Sequence, residues 1–280
     1  MPTANVNGVE IYYETRSSGD PVLLVPPDWW PCATWNVVVV PVLSRRFRTI
    51  IYDGRGTGRS ATPKDGYNVG QFARDAIELL KQLGIARCHA VGFAIGGQIV
   101  QAMAIEHPDL VASLTMAAAG PGSRRLDGTP RDVSPEARKE IQRIGFEKYI
   151  RAHIDNDVMA YDADFYREHR DVAAELAEAL WSGQSTPELY HLHEQARLTW
   201  DTLAAAPKVK VPTLVLCGAE DGIERRGSTP VATAKKLAPL IPGAQLALIP
   251  KTKHMTFWDG DGALKVLQDF LARHPIRREE

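Results

Sequence analysis

Two side chains late in the sequence, Asp221 and His254, are of the types that together move a proton. A carboxylate that accepts from one ring nitrogen of a histidine fixes the tautomer and stabilises the cationic ring, so the other nitrogen can act as a general base. Each residue follows a short apolar run, "VPTLVLCG" for Asp221 and "AQLALIP" for His254. The pattern predicts an acid and a base that lie just beyond the ends of two strands.

The stretch "HAVGFAIGGQIV" predicts a strained turn that can hold an anion. It is typical of a strand, a tight turn with Ala94 at its tip, and the first turn of a helix. A strained tip requires small neighbours, which Gly92, Gly96 and Gly97 provide. The N–H of Ile95 lies at the helix N-terminus, where negative charge is stabilised. The tip itself carries only a methyl group, which has no chemistry.

The elements around these residues predict an α/β fold. Strand-like runs such as "PVLLVPP", "RTIIYDGRG" and "VASLTMAAAG" alternate with helical patterns such as "QFARDAIELLKQLG" and "GGQIVQAMAIEHP". Such alternation indicates a mostly parallel sheet with right-handed crossovers, whose ligands bind outside the carboxyl ends of the strands. Between 121 and 206 only helical patterns occur. We therefore expect a core formed by 1–120 and 207–280, with 121–206 inserted as a helical cap.

Four segments carry a resemblance to a known family. The segments "YDGRGTGRS", "VGFAIGGQIVQAMAIEHP", "VPTLVLCGAED" and "KTKHMTFWD" resemble the α/β-hydrolase fold superfamily in type and in order: turn, then acid, then histidine. The resemblance spans nearly all of the chain outside the cap. It implies an eight-stranded, mostly parallel sheet flanked by helices, and no cofactor. It also implies that Asp221 is the triad acid, that His254 is the base, and that Ala94 occupies the nucleophile position, where serine is usual.

The loop after "PVLLV" departs from the usual pattern of that family. Many relatives carry a His-Gly pair there, and the next residue donates an N–H to the oxyanion. Here Pro26 and Pro27 occupy those places, and neither has an N–H to donate. We expect the N–H groups of Asp28 and Ile95 to form the oxyanion site. The loop is similar to that of zearalenone-lactonase-like members. The Asp28 carboxylate opposes an oxyanion unless it points away or is protonated.

Ala94 leaves three hypotheses open. The first is a hydrolase scaffold for a carboxylic ester or lactone with an apolar substrate, of the Ser-His-Asp type, in an inactive Ser→Ala form. The second is a natural cofactor-independent enzyme in which His254, held by Asp221, removes or donates a proton in an elimination, a carbon–carbon cleavage or a cyclisation, with Asp28 as a candidate second acid–base group. The third is a member of the fold that binds a ligand without chemistry.

Aromatic and sulfur-containing side chains near these loops are candidates for the substrate pocket: Trp29, Trp30, Phe93, Trp181, Tyr190 and Met255. Trp35 fits the core better. Asp53 and Arg55 are predicted to brace the loop beneath the site. We expect no metal site, because the histidines of the cap, His153, His169, His191 and His193, do not show ligand spacing.

The composition of the chain limits the classes of partner that we expect it to bind. The chain has 280 residues with 33 basic and 34 acidic side chains, so neither a nucleic acid nor an anionic membrane is expected as a partner. The expected partner is a small-molecule substrate, and whether the chain forms a homodimer stays open. Three widely spaced cysteines, Cys32, Cys88 and Cys217, form neither a disulfide framework nor a zinc motif. The N-terminus lacks the pattern of a signal peptide, so we expect a cytoplasmic protein.

Overall fold

One sheet of eight strands organises the computed structural model, which describes residues 2–132, 135–156, 160–183, 185–222 and 228–277. The strands are β1 (Thr3–Val6), β2 (Val9–Arg16), β3 (Pro21–Val25), β4 (Arg48–Tyr52), β5 (Cys88–Phe93), β6 (Val111–Ala117), β7 (Thr213–Gly218) and β8 (Gln245–Ile249). Their order is β1-β2-β4-β3-β5-β6-β7-β8. The β1–β2 and β2–β4 pairs are antiparallel, and the other five pairs are parallel.

Helices cover both faces of the sheet. Those of the core are α1 (Ala33–Val37), α2 (Val39–Leu43), α3 (Val69–Gln82), α4 (Ile95–Glu106), α10 (Thr202–Ala205), α11 (Pro230–Leu237) and α12 (Gly262–Ala272). Those between β6 and α10 are α5 (Pro135–Ile144), α6 (Phe146–Ile154), α7 (Ala163–Glu168), α8 (Arg170–Trp181) and α9 (Pro187–Ala196). Short 3₁₀ turns follow α9, α10 and α11.

The parallel strands β3 to β7 are buried on both faces, which explains why their sequences are continuous apolar runs, whereas the edge strand β8 is partly exposed. Successive side chains of a strand point to opposite faces. In β3, Leu23 and Val25 accordingly join one core cluster with α3 and α4, whereas Val22 and Leu24 join the other with α2 and α12. The second cluster continues into the helices α5 to α9, so the inserted segment shares an apolar core with one face of the sheet.

The strand order reverses between β3 and β5, and this reversal opens a crevice for a ligand. The chain runs from β3 outward to β4 and then returns to β5 on the other side of β3. The two strands end together, since Val25 pairs with Gly92. The loop that begins at Pro26 therefore lies beside the turn at Ala94. Such a reversal is the usual ligand position in open α/β sheets.

These observations confirm the predicted eight-stranded, mostly parallel sheet flanked by helices, with differences in detail. The strand β1 and the helices α1 and α2 were not predicted. The continuous helical pattern of 134–154 is broken by Gly145, whose φ of 88° ends one helix before the next begins. Residues 121–132 carry two isolated β-bridges instead of a helix. The cap limits of 121 and 206 stay a prediction.

Within the described ranges, no helix combines the length and the apolar character that crossing a membrane requires.

Candidate active site

The turn between β5 and α4 has the strained geometry that the sequence predicts. Ala94 adopts φ 52° and ψ −117°, a conformation that costs free energy for any residue with a Cβ. Two neighbours must be glycine: a Cβ on Gly92 would collide with the backbone of Gly96, and one on Gly96 would collide with the carbonyl of Val25. The Ala94 N–H donates to the Ala117 carbonyl at 2.9 Å. The turn thus holds Ala94 at the carboxyl end of the sheet.

Asp221 and His254 form the predicted hydrogen-bonded pair. Asp221 follows β7, His254 follows β8, and Nδ1 of His254 lies 2.8 Å from Oδ2 of Asp221. The Asp221 side chain is fully buried and that of His254 is 8% exposed. Because Nδ1 meets the carboxylate, Nε2 is the ring nitrogen left for a substrate. His254 and Ala94 line the same cavity, so the imidazole and the tip of the turn face one space.

The amide of Ile95 is available to an anion. It opens α4 and donates to no acceptor among the described residues. On the opposite loop the Trp30 N–H donates to the Pro27 carbonyl at 3.0 Å, and the turn that this bond closes holds Asp28 at φ 36°. Both predicted donors, the amides of Asp28 and Ile95, thus belong to residues that line the cavity. Their role as an oxyanion site stays a prediction.

The carboxylate of Asp28 is held by an arginine of the inserted segment. Arg197, in the 3₁₀ turn after α9, donates from Nη2 to Oδ2 of Asp28 and lies 2.7 Å from Oε1 of Glu194. Burial alone would lower the pKa of Arg197, but the carboxylates of Asp28 and Glu194 outweigh it and raise that pKa. Arg197 therefore stays charged and offsets the carboxylate that the oxyanion would otherwise meet.

The cavity has a volume of about 110 Å³ and a mixed lining. Its lining includes the large apolar or aromatic side chains of Trp29, Trp30, Phe93, Tyr149, Tyr190 and Met255. Its polar groups, besides His254, include Asp28, Gln98, Arg131, Glu194, Arg197 and Thr233. Five of the six predicted pocket residues thus line it. The sixth, Trp181, does not: it is partly buried and packs against Phe146, with 6.1 Å between ring centroids.

Several polar lining residues were missed at the sequence level. Gln98 had a usable signal, because it lies one turn after Ala94 on the same helix. Glu194 and Arg197 are spaced i, i+3 and could have been read as a pair, but nothing local indicates that they reach the β3 loop. The contact between Arg197 and Asp28 joins residues 169 positions apart.

Asp53 and Arg55 brace the loop after β4, as predicted. Asp53 is fully buried and accepts from the backbone amides of Cys32 at 2.6 Å and Arg59 at 2.8 Å. Arg55 binds Asp75 through two hydrogen bonds of 2.6 and 2.9 Å. Burial, reinforced by Asp53, raises the pKa of the Cys32 thiol far above its ordinary range, so Cys32 is not a thiolate at neutral pH.

The cap histidines are dispersed. His193 is buried and stacks on Phe72 at 5.4 Å, and burial lowers its pKa to about 3. His169 packs against Phe165 with tilted rings, 4.5 Å between ring centroids. The side chain of His153 lies outside the described residues. Among the described residues, no group of three or more His, Cys, Asp or Glu could hold a metal ion.

Comparisons with known proteins identify the family of this chain. A model of the alpha/beta hydrolase fold family matches residues 27–261. The chain belongs to that family. Within it, the chain is 29% identical to a protein described as a putative carbamate hydrolase RutD from Caulobacter sp. (strain K31), over 79% of this chain and 76% of the relative. It is 26% identical to a putative non-heme chloroperoxidase from Synechocystis sp., over 94% of this chain and 95% of that one.

Solved structures of alpha/beta hydrolases are similar over almost the whole chain. The enol-lactonase from Burkholderia xenovorans LB400 has a TM-score of 0.80 and 27% identity, and the match covers 97% of this chain and all of that one. Est816, described as an N-acyl homoserine lactone degrading enzyme, has a TM-score of 0.78 and 26% identity, over 96% of this chain and all of that one.

Proposed function

We propose that this cavity binds a carboxylic ester or lactone with an apolar body and serves acyl transfer at its carbonyl. The observation that carries the proposal is the Asp221–His254 pair, at 2.8 Å, in the same cavity as Ala94 at the tip of its strained turn. The aromatic lining supports an apolar substrate. Relatives described as a lactonase and as a carbamate hydrolase support chemistry at a carbonyl carbon.

The proposed chemistry needs a hydroxyl at position 94. In an Ala94→Ser form, His254 would take the hydroxyl proton while the oxygen attacks the carbonyl carbon, and Asp221 would stabilise the resulting imidazolium. The N–H groups of Ile95 and Asp28 would hold the oxyanion. The leaving alcohol would then receive the proton from His254, and water would release the acyl group by the same steps in reverse.

With alanine at position 94 no acyl-enzyme forms. In a well-studied serine protease, loss of the triad serine lowers kcat by about 10⁶-fold. The binding site and the oxyanion donors persist without the serine and retain a residual effect. The proposal is therefore that this chain, with Ala94, is inactive or nearly so on esters and lactones, while its pocket still binds them.

A second candidate function is proton transfer without a covalent step. The side chain of Asp28 is only 8% exposed, and Asp28 lines the cavity together with His254. This burial supports proton transfer, whereas a solvent-facing Asp28 would count against it. Asp28 forms an ion pair with Arg197, and in this candidate it would serve together with His254 as a second proton-transfer group. A third candidate is a pocket that binds a ligand with no chemistry.

Turnover of a panel of 4-nitrophenyl esters and simple and macrocyclic lactones tests these candidates. The three proteins to compare are the chain with Ala94, its Ala94→Ser variant and an Ala94→Ser/His254→Ala variant. Acyl transfer predicts turnover by Ala94→Ser alone. If Ala94→Ser and the chain with Ala94 are equally inert towards the whole panel, the proposal fails, and proton transfer or plain binding becomes the leading account.

A further inference from the structure

Gln98 is a buried residue that lines the cavity, and its side-chain oxygen has no hydrogen-bonding partner among the described residues. It lies one turn beyond Ala94 on α4, is 2% exposed and lines the cavity. Its Oε1 meets no donor among the described residues. The next glutamine of the helix shows the contrast, because buried Gln101 donates to the Thr202 carbonyl at 3.1 Å and accepts from Trp200 at 2.9 Å.

An amide in this position has a cost that a ligand could remove. Leaving a buried polar group unsatisfied costs about 1–3 kcal/mol. Methionine or leucine has a similar size, would avoid that cost and would match the aromatic lining. The amide of Gln98 therefore stabilises the complex only when something in the cavity bonds to it.

The charges around the cavity select the kind of partner. The charged side chains among its described lining residues are two acids, Asp28 and Glu194, and two arginines, Arg131 and Arg197, so their formal charges cancel. A neutral ligand suits such a site better than an ion. A terminal amide offers N–H donors and a carbonyl acceptor, and either can face the ligand because the terminal torsion is roughly two-fold. A ligand group that has a hydrogen-bond donor next to an acceptor can pair with both the carbonyl oxygen and the N–H of that amide.

We infer that the substrate of this pocket carries a neutral amide or carbamate unit, –C(=O)–NH–, which pairs with the side chain of Gln98. The inference rests on the proposed function, since it adds a recognition element to the same substrate. The apolar body lies against the aromatic lining, the reacting carbonyl lies over Ala94, and the amide unit reaches α4 one helical turn away.

Three phenyl esters of equal chain length test the inference: phenyl N-acetylglycinate, phenyl levulinate and phenyl pentanoate. The first carries the amide, the second replaces its N–H by CH₂, and the third lacks both polar groups. We expect Ala94→Ser to prefer phenyl N-acetylglycinate, as kcat/KM from phenol release. The preference is the ratio of kcat/KM for phenyl N-acetylglycinate to kcat/KM for phenyl pentanoate. Adding Gln98→Met or Gln98→Leu should lower this ratio about tenfold or more. The intrinsic reactivities of the two esters cancel when the ratio is compared between variants.

Thr233→Val is the matched control, because it also removes a polar group from the lining. The Thr233 hydroxyl already donates to the Thr229 carbonyl, so the preference ratio should change less than twofold. A ratio that is unchanged by either Gln98 substitution, or lowered equally by Thr233→Val, overturns the inference.

Binding to the chain with Ala94 separates this inference from the proposed function. Titration calorimetry with the same three esters should give the tightest binding for phenyl N-acetylglycinate, by about tenfold over phenyl pentanoate. If this binding preference is observed but Ala94→Ser is not acylated, the Gln98 subsite is supported and acyl transfer is refuted. Acylation without the preference supports acyl transfer and refutes the subsite.

Discussion

Arg197 determines what the carboxylate of Asp28 does to the proposed oxyanion site. Sequence alone left Asp28 as an obstacle, since a carboxylate beside a developing oxyanion opposes it. The structure joins that carboxylate to Arg197, which is held in turn by Glu194 at 2.7 Å. A residue of the cap segment thereby neutralises a charge on the loop after β3.

Arg197→Met in the Ala94→Ser background should therefore lower kcat/KM for 4-nitrophenyl esters about 10- to 100-fold. Without Arg197, the Asp28 carboxylate would repel the developing oxyanion, and like charges a few ångströms apart near a protein surface repel by about 2 kcal/mol or more. Adding Asp28→Asn should recover much of the loss, because the repelling charge is gone. If the added Asp28→Asn only deepens the loss, the two residues do not act through this charge.

His254 and Asp221 should behave as one unit. In Ala94→Ser, we expect Asp221→Asn to lower kcat by about 10⁴-fold, because the amide cannot hold the required tautomer. His254→Ala should cost at least as much, and the double substitution little more than the larger single effect. Esterase kinetics of the four proteins check this. Full additivity of the two losses would contradict the pairing.

At the scale of elements, the turn between β5 and α4 depends on close backbone approach as well as on backbone conformation. Gly96→Ala should lower the free energy of unfolding by more than 2 kcal/mol, because the added Cβ meets the Val25 and Pro26 carbonyls, and neither can move as a flexible side chain could. Gly84→Ala is the control. Gly84 has a φ of 67° and open space around it, so only the conformational cost of about 1 kcal/mol applies. Denaturant unfolding that gives equal losses would refute the steric account.

The whole molecule contains a carboxylate that ties the inserted segment to the loop of His254. Asp259 is 4% exposed and accepts from the backbone amides of Asp162, at 3.0 Å, and Lys253, at 2.7 Å. Burial raises its pKa from 3.8 to about 6, although both N–H groups act to lower it. The folded protein therefore holds the proton of Asp259 at a pH where the unfolded chain has lost it.

The raised pKa of Asp259 makes the stability of the folded protein depend on pH. A raised pKa in the folded state gives stability that is present below pH 4 and is lost as the pH rises through about 6. Asp259→Asn removes that loss. Between pH 4 and pH 7, the free energy of unfolding of the variant should therefore rise relative to that of the chain with Asp259 by up to about 2–3 kcal/mol. Urea titrations at a series of pH values test this. Parallel pH profiles for the two proteins would show that Asp259 does not titrate in this range.

The sequence predicts the parts of this molecule that local patterns encode. Apolar runs identify the buried strands, and the glycines of the Ala94 turn identify its strained geometry. Contacts between distant segments carry no such signal. The pairing of Arg197 with Asp28 and the packing of Trp181 on Phe146, away from the cavity, depend on how the inserted segment lies over the sheet. The helices α1 and α2 were missed because each is only five residues long and no helical period is visible.

The most direct test of the central claim is the intact mass of two proteins after treatment with a fluorophosphonate. We expect Ala94→Ser to gain one phosphonyl group with loss of fluoride, located at position 94 by peptide mapping, and the chain with Ala94 to gain none. That result would show that Asp221, His254 and the turn form a site that activates a serine. An unmodified Ala94→Ser protein, or equal labelling of both, would contradict the assignment of this cavity to acyl transfer.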